Sequence, residues 1–318
     1  MMRRSHSYSK RELLNSCLRQ FFYEYYAASK KLPFDSARKP LVQKLKEFTG
    51  VYLLAGEKLH WFIEQFLKKG PSSRDWAERT STSGFDLAVR YSRDPEANAG
   101  LQNLAYPPPM LLEFYYGDPR AEELAEKARE ALFRGVRRFL EHEPVKKLWS
   151  EITTGEHYVE QRVGGLPKFD EFGIEGQIDL VGRDTERVRV VDWKLGVSGG
   201  SHDSLQMLIY GLWAEKKFRV EPSQVSVRRV FLGDGTVEPD RPLDRGIMVV
   251  GKARMLQDIE LMKELDPYGR TGMEEVFSPC HRENVCRQCK YQGICPDSRS
   301  GLAPKQTSAS LMVLPSPV

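Results

Sequence analysis

Between His157 and Leu232 the apolar residues stop recurring at helical spacing and begin to alternate, and this change of period limits what the chain can build. His157 to Val163, Gly176 to Gly182 and Arg187 to Trp193 read as three strands, separated by Gly-Gly-Leu-Pro and Gly-Arg-Asp-Thr turns. A helix from about Asp203 to Phe218 follows, and then a strand from Val225 to Leu232. Strand, strand, strand, helix, strand is the order of an α/β core with a mixed sheet.

Helices are expected on either side of this core. Ser7 to Ala27 reads as one helix capped by Ser7 or Ser9, with Leu13, Leu14, Cys17, Phe21 and Tyr25 near helical spacing and Cys17 facing inward. A second helix, about Leu53 to Lys69, buries Leu59, Phe62, Ile63 and Phe66 and is stopped by Gly70-Pro71. Residues 71–118 are rich in Ser, Pro, Gly and Asn and read as an irregular or partly helical stretch. An amphipathic helix returns from Pro119 to Phe139, with Arg134, Arg137 and Arg138 near its end, where the helix dipole favours cations. Residues 249–264 form a further helix, Phe277 to Pro296 is a cysteine-rich loop, and the tail from Gly301 is expected to be disordered. The organisation expected is therefore one unit over 1–300, with a helical insertion at 71–150, a cysteine-rich segment at 280–296 and a tail at 301–318.

The chain has 318 residues, 40% hydrophobic and 29% charged, which suits a globular protein. No apolar run approaches the roughly 18 residues that span a bilayer, and the start is polar rather than signal-like, so a cytosolic chain with no membrane partner is expected. A net charge of +4 is only mildly basic, so bulk charge does not announce nucleic-acid binding. Five cysteines in a reducing compartment favour a metal or cluster site over a disulfide framework.

Chemistry concentrates on the sheet. Asp179 lies on the second strand, and Asp192 and Lys194 lie two apart on the third, on one face. Two carboxylates converging from adjacent strands make a hard oxygen site suited to Mg2+ or Mn2+. Such a metal polarises a phosphodiester, and a lysine beside it positions the attacking water and offsets developing charge. An isolated Asp-x-Lys is most often a strand-end salt bridge. Here it ends a valine-rich strand, follows Gly176-Gln177-Ile178-Asp179 and precedes Gln206 and Tyr210, which are i and i+4 on one helix face. That places polar groups where a core sheet prefers none.

With His60 on the earlier helix, these residues appear in the order His, Gly-x-x-Asp, Asp-x-Lys, Gln-x-x-x-Tyr, and the chain resembles the RecB-like branch of the PD-(D/E)XK nuclease superfamily. The resemblance implies a restriction-endonuclease-like mixed sheet flanked by helices. It implies that His60, Asp179 and Asp192 bind the metal with the Trp193 carbonyl assisting, that Lys194 is catalytic, and that Gln206 and Tyr210 steady Lys194 or the bound phosphate. Glu160, on the first strand, resembles an accessory family acid. Without that ordered set, His60 is more often a satisfied core or surface histidine.

Cys286, Cys289 and Cys295 form a C-x2-C-x5-C run that by itself fits zinc as well as a cluster. Cys17, far upstream, matches the iron-sulfur type within this family, in which one cysteine before the nuclease core and three after it hold a [4Fe-4S] cluster that staples the chain ends together. Cys280 is a departure that leaves the ligand set open. The resemblance, close to AddB-type, CRISPR-associated and exonuclease V-like nucleases, implies action on single-stranded or flapped DNA, often as an exonuclease, in repair, recombination or CRISPR adaptation. No Gly-x-x-x-x-Gly-Lys-[Ser/Thr] is present, so any helicase is a separate partner. Phe21 to Tyr26 beside Arg19 and Lys30 suit either base stacking or core packing. The rival is a non-catalytic DNA-binding or scaffold subunit with a structural cluster.

Overall fold

A computed structural model describes residues 5–32, 34–164, 166, 168–183, 187–199, 204–266 and 273–304. The expected start of the crossover helix at Asp203 and the tail from 305 onward lie outside the described residues. A short strand β1 (Ser5–His6) opens the chain, followed by α1 (Tyr8–Ser16), whose first turn is capped by the Ser7 hydroxyl accepting from the Lys10 amide. The single helix expected over 7–27 is broken: Cys17 takes extended backbone, φ −162° and ψ 112°, before α2 (Leu18–Phe22) and a π-helical turn over Tyr23–Ala27. Periodicity could not show the break, because the apolar side chains on both sides of Cys17 still face one core.

Helices α3 (Lys39–Lys46) and α4 (Val51–Lys69) follow, and then α5 (Arg74–Arg93). Helix α5 falls within the stretch expected to be irregular or partly helical. Its buried stripe of Ala77, Ser81, Phe85, Ala88 and Tyr91 mixes small and polar residues, which weakened the periodic signal. A short α6 (Leu112–Tyr115), α7 (Ala121–Glu141) and α8 (Glu143–Thr153) lead into the sheet.

The sheet contains β2 (Glu156–Arg162), β4 (Gln177–Arg183), β5 (Val188–Lys194) and β6 (Val225–Phe231), in that spatial order, and β3 (Gly173–Ile174) instead pairs with β1. β2–β4 and β4–β5 are antiparallel, while β5–β6 is parallel and crossed over by α9 (Ser204–Phe218). Short strands β7 (Thr236–Val237) and β8 (Arg241–Pro242) finish the β6 edge, and α10 (Arg245–Leu265) and a small α11 (Glu283–Arg287) complete the order. This is the mixed α/β sheet flanked by helices that the resemblance implied.

Two apolar cores form. One gathers α4, α5, α7 and α8 with Leu180, Val191, Trp193 and Val230. The other gathers α2, α9 and α10 with Val188, Val190 and Val227 and reaches Phe277, Cys289 and Tyr291. Alternation along β5 sends Val191 and Trp193 to one core and Val188 and Val190 to the other. The aromatic run from Phe21 belongs to the second core: Phe21, Phe22, Tyr23 and Tyr26 are buried, and Phe22 packs 5.2 Å from Phe277. Core packing, not an exposed stacking face, is the outcome there. No helix among the described residues is long and apolar enough to cross a membrane.

Candidate functional site

Register brings the acids together. Val159 pairs with Leu180 and Gln161 with Ile178, so Glu160 stands opposite Asp179. Leu180 pairs with Val191, and continuing that register brings Asp179 level with Asp192. Three carboxylates therefore line up across three neighbouring strands, an arrangement in which like charges repel and an uncompensated sheet is destabilised. The ladder breaks at this line. The Glu160–Asp179 pair is missing from the β2–β4 register, Glu160 takes a left-handed φ of 50°, and the Trp193 amide donates to Asp179 Oδ2 at 2.8 Å instead of to a strand. A non-glycine residue in that conformation costs on the order of 1–3 kcal/mol, and here it re-aims an acid.

Helix α4 supplies the cationic partner. His60 Nδ1 lies 3.3 Å from Glu160 Oε1 and 3.7 Å from Asp179 Oδ1, and Nε2 lies 3.2 Å from the Trp193 carbonyl. Burial alone would lower its pKa, but Asp179, Glu160 and Asp192 outweigh it and raise His60 to about 9. Burial pushes the Asp179 carboxyl the other way from His60, and with repulsion from Asp192 and Glu160 it rises to about 7. Gln177 donates to Glu160 and fixes its second oxygen. Gln177 was one of the unspecified positions of Gly-x-x-Asp, so spacing gave no sign of it.

On the other face, α9 holds Asp192. Gln206 Nε2 donates to Asp192 Oδ1 at 2.9 Å and to Tyr210 Oη at 2.6 Å, and Tyr210 Oη donates to the same Oδ1 at 3.1 Å. Gln206 and Tyr210 thus grip the aspartate rather than Lys194. Burial, then Asp192 and Asp179, push the Tyr210 phenol well above its usual range, so it remains a donor. Gly176 allows this approach: a Cβ there would sit 3.3 Å from Ile209 Cγ2 of α9 and 3.5 Å from Val163. Lys194 Nζ lies 2.8 Å from Asp192 Oδ2, yet this buried oxygen receives no aligned hydrogen bond.

Among the described residues, His60, Glu160 and Asp179 form a set whose ligand atoms all lie within 4.8 Å of one another. These oxygen donors and one imidazole fit a hard divalent cation, with Asp192 Oδ2 and its Lys194 partner beside them, and such an ion would also relieve the repulsion along the line. A cleft of about 510 Å³ opens above, lined by Tyr52, Leu53, Gly56, His60, Glu160 and Asp179 among others.

The cysteines lie elsewhere, where the two ends of the described chain meet. The Arg19 amide donates to the Ser278 carbonyl at 3.2 Å and its Nε to the Phe277 carbonyl at 2.8 Å, while Arg282 reaches the Ser16 carbonyl at 2.6 Å. Cys17 neighbours Cys280, which in turn neighbours Cys286. Burial raises Cys289, with Cys17, Cys295 and Cys286 adding to it. All five are free thiols. They share a neighbourhood without converging on a tight ligand group, since the described residues provide such a group only around His60.

No curated protein sequence gives a significant match. The family model of the PD-(D/E)XK nuclease superfamily, by contrast, matches residues 5–296, from β1 to just past Cys295. The chain belongs to the PD-(D/E)XK nuclease superfamily.

Proposed function

We propose that the chain is a metal-dependent DNA nuclease of the RecB-like branch, hydrolysing phosphodiesters in single-stranded or flapped DNA, chiefly from an end. The line of Glu160, Asp179 and Asp192 closed by His60 carries this reading, because a fold without a cation has no use for repelling acids at a broken ladder. His60, Asp179 and Asp192 would hold Mg2+ or Mn2+, with Glu160 and the Trp193 carbonyl beside them. A divalent ion there supplies Lewis acidity and lowers the pKa of bound water. Gln206 and Tyr210 lock the Asp192 carboxylate in one orientation, so it is preorganised. Lys194, with its side chain 38% exposed, reaches solvent beside Asp192 and would orient the attacking water and offset charge on the phosphate.

Cys17, Cys286, Cys289 and Cys295 would hold a [4Fe-4S] cluster, with Cys280 as a neighbouring thiol. Their shared neighbourhood and the clamp of Arg19 and Arg282 support that reading. The cluster's part would be structural, holding together segments more than 250 residues apart in sequence.

End-labelled single-stranded, duplex and flapped DNA, with Mg2+, Mn2+ or chelator, tests the proposal. Cleavage should need the metal and should fall by on the order of a thousandfold in Asp192→Ala or Lys194→Ala variants that keep their circular dichroism. Retained activity in both variants overturns the mechanism. Metal-independent binding without any cleavage by the wild type would favour a non-catalytic subunit.

A further inference from the structure

Helix α4 carries a glycine without a packing reason. Glycine is the poorest helix former after proline, and in a long helix it normally marks a close approach. Two other helical glycines follow that rule. A Cβ at Gly135 in α7 would sit 3.0 Å from Leu59, and at Gly211 in α9 it would sit 2.8 Å from Met248 Sδ. At Gly56 it would meet nothing within 4 Å. The space is open cleft.

That cleft is the one above the acids. Gly56 precedes His60 by one turn on the same helix face, and it follows Tyr52 by one turn. Tyr52 and Leu53 flank it, 47% and 63% exposed, so two large apolar side chains face solvent at the mouth. Beyond the acids the groove continues into a second, more polar space of about 800 Å³ that shares Glu64, Glu160 and Gln177 and adds Lys68, Gln161 and Arg162. One groove thus runs from an apolar end over the acidic line to a polar end bearing Arg162 and the Lys68–Glu64 ion pair.

We propose that Gly56, with Tyr52 and Leu53, forms a nucleotide subsite for the residue next to the scissile phosphate of a single strand. This rests on the nuclease reading. The missing side chain lets a sugar ring lie against the helix backbone, and Tyr52 and Leu53 take the face of its base. The flat ring of Tyr52 beside the apolar Leu53 accepts any base, so the subsite selects unpaired strands without selecting sequence. At the polar end Arg162 then meets the backbone. Gly56 is a specificity-determining position, not a catalytic residue.

The test sets stability against binding. Affinity for a fluorescent single-stranded oligonucleotide, in Ca2+ to slow cleavage, and thermal melting are measured for the wild type, Gly56→Ala, Gly56→Leu and Tyr52→Ala. Gly56→Ala should melt at or above the wild-type temperature yet bind about tenfold more weakly, Gly56→Leu weaker still, and Tyr52→Ala about tenfold weaker. A structural role for Gly56 would instead lower melting with binding intact. Binding of Gly56→Ala and Tyr52→Ala within twofold of the wild type overturns the subsite, even if the wild type cleaves DNA. A wild type that neither binds nor cleaves overturns the nuclease reading and the subsite with it.

Discussion

Replacing Asp179 by asparagine should stabilise the metal-free protein while abolishing its metal-dependent activity. Asn keeps the shape of a protonated Asp and an oxygen to accept from the Trp193 amide, but it removes one charge from the acidic line. An acid whose pKa is higher in the folded state binds its proton more tightly there, so stability falls as pH rises from 3.8 towards about 7. That interval corresponds to about 4 kcal/mol of disfavoured ionisation at pH 8 and less than half of that at pH 5. Side-chain relaxation and water entry lower both figures, so Asp179→Asn should exceed the wild type by about 2–4 kcal/mol at pH 8 and by clearly less at pH 5. Urea denaturation in chelator at the two pH values measures the difference. Adding Mn2+ should then raise the wild type alone, by mass action on its folded state. A variant less stable than the wild type at pH 8 in chelator, or an offset equal at both pH values, would refute repulsion along the line.

Three further outcomes can be checked. Anaerobically prepared protein should be brown with about four irons per chain, and Cys17→Ser should lose iron and a few kcal/mol of stability while any folded fraction keeps cleaving; zinc without iron would exclude the cluster. Glu274 joins Arg19, Arg38 and Tyr23, and although burial opposes its ionisation these partners hold it below the ordinary 4.5. Its stabilisation is therefore present above pH 4.5 and lost as pH falls through the lowered folded value, so Glu274→Gln should cost about 1–2 kcal/mol at pH 7 and progressively less on acidification below pH 4.5, as thermal melts across pH will show. Gly182→Ala would place a Cβ 2.5 Å from Ile152 Cγ2 and 2.7 Å from its carbonyl, and chemical denaturation should show a loss of about 2 kcal/mol or more.

The four long strands of the sheet were legible because β4, β5 and β6 are short, apolar and bounded by turn residues and β2 precedes them after a clear turn. The crossover helix and the pairing of Gln206 with Tyr210 followed from i, i+4 spacing. Sequence could place Asp179 and Asp192 on neighbouring strands, but it could not give the register that brings Glu160 into line, since register depends on turns of irregular length. Glu160 also breaks the alternation through its left-handed backbone, which no pattern signals. Spacing put Gln206 and Tyr210 on one helix face, but which neighbour they reach depends on the height of α9 over the sheet, and it is Asp192 rather than Lys194. The helix over 74–93 lies in a stretch that reads only as irregular or partly helical, and its bounds were hidden because Ser81, Ala77 and Ala88 sit on its inner face.

The split between the two cores sets a timetable for biosynthesis. Apart from β6 and Leu232, the core containing α4, α7 and β5 draws on residues 51–193, so nearly all of it has been translated before the crossover helix. The other core needs Phe22 to meet Phe277 and Tyr23 to meet Tyr291, whose rings lie 5.2 and 5.3 Å apart. At roughly 5–20 residues per second, the aromatic stretch around Phe22 waits on the order of 10–50 s for its partners. During that interval a nascent chain presents Phe21, Phe22, Tyr23 and Tyr26 without their final cover, and a ribosome pausing before residue 277 prolongs it. Slow codons or truncation in the last fifth of the message should therefore yield aggregated chains whose central sheet and helices are already formed.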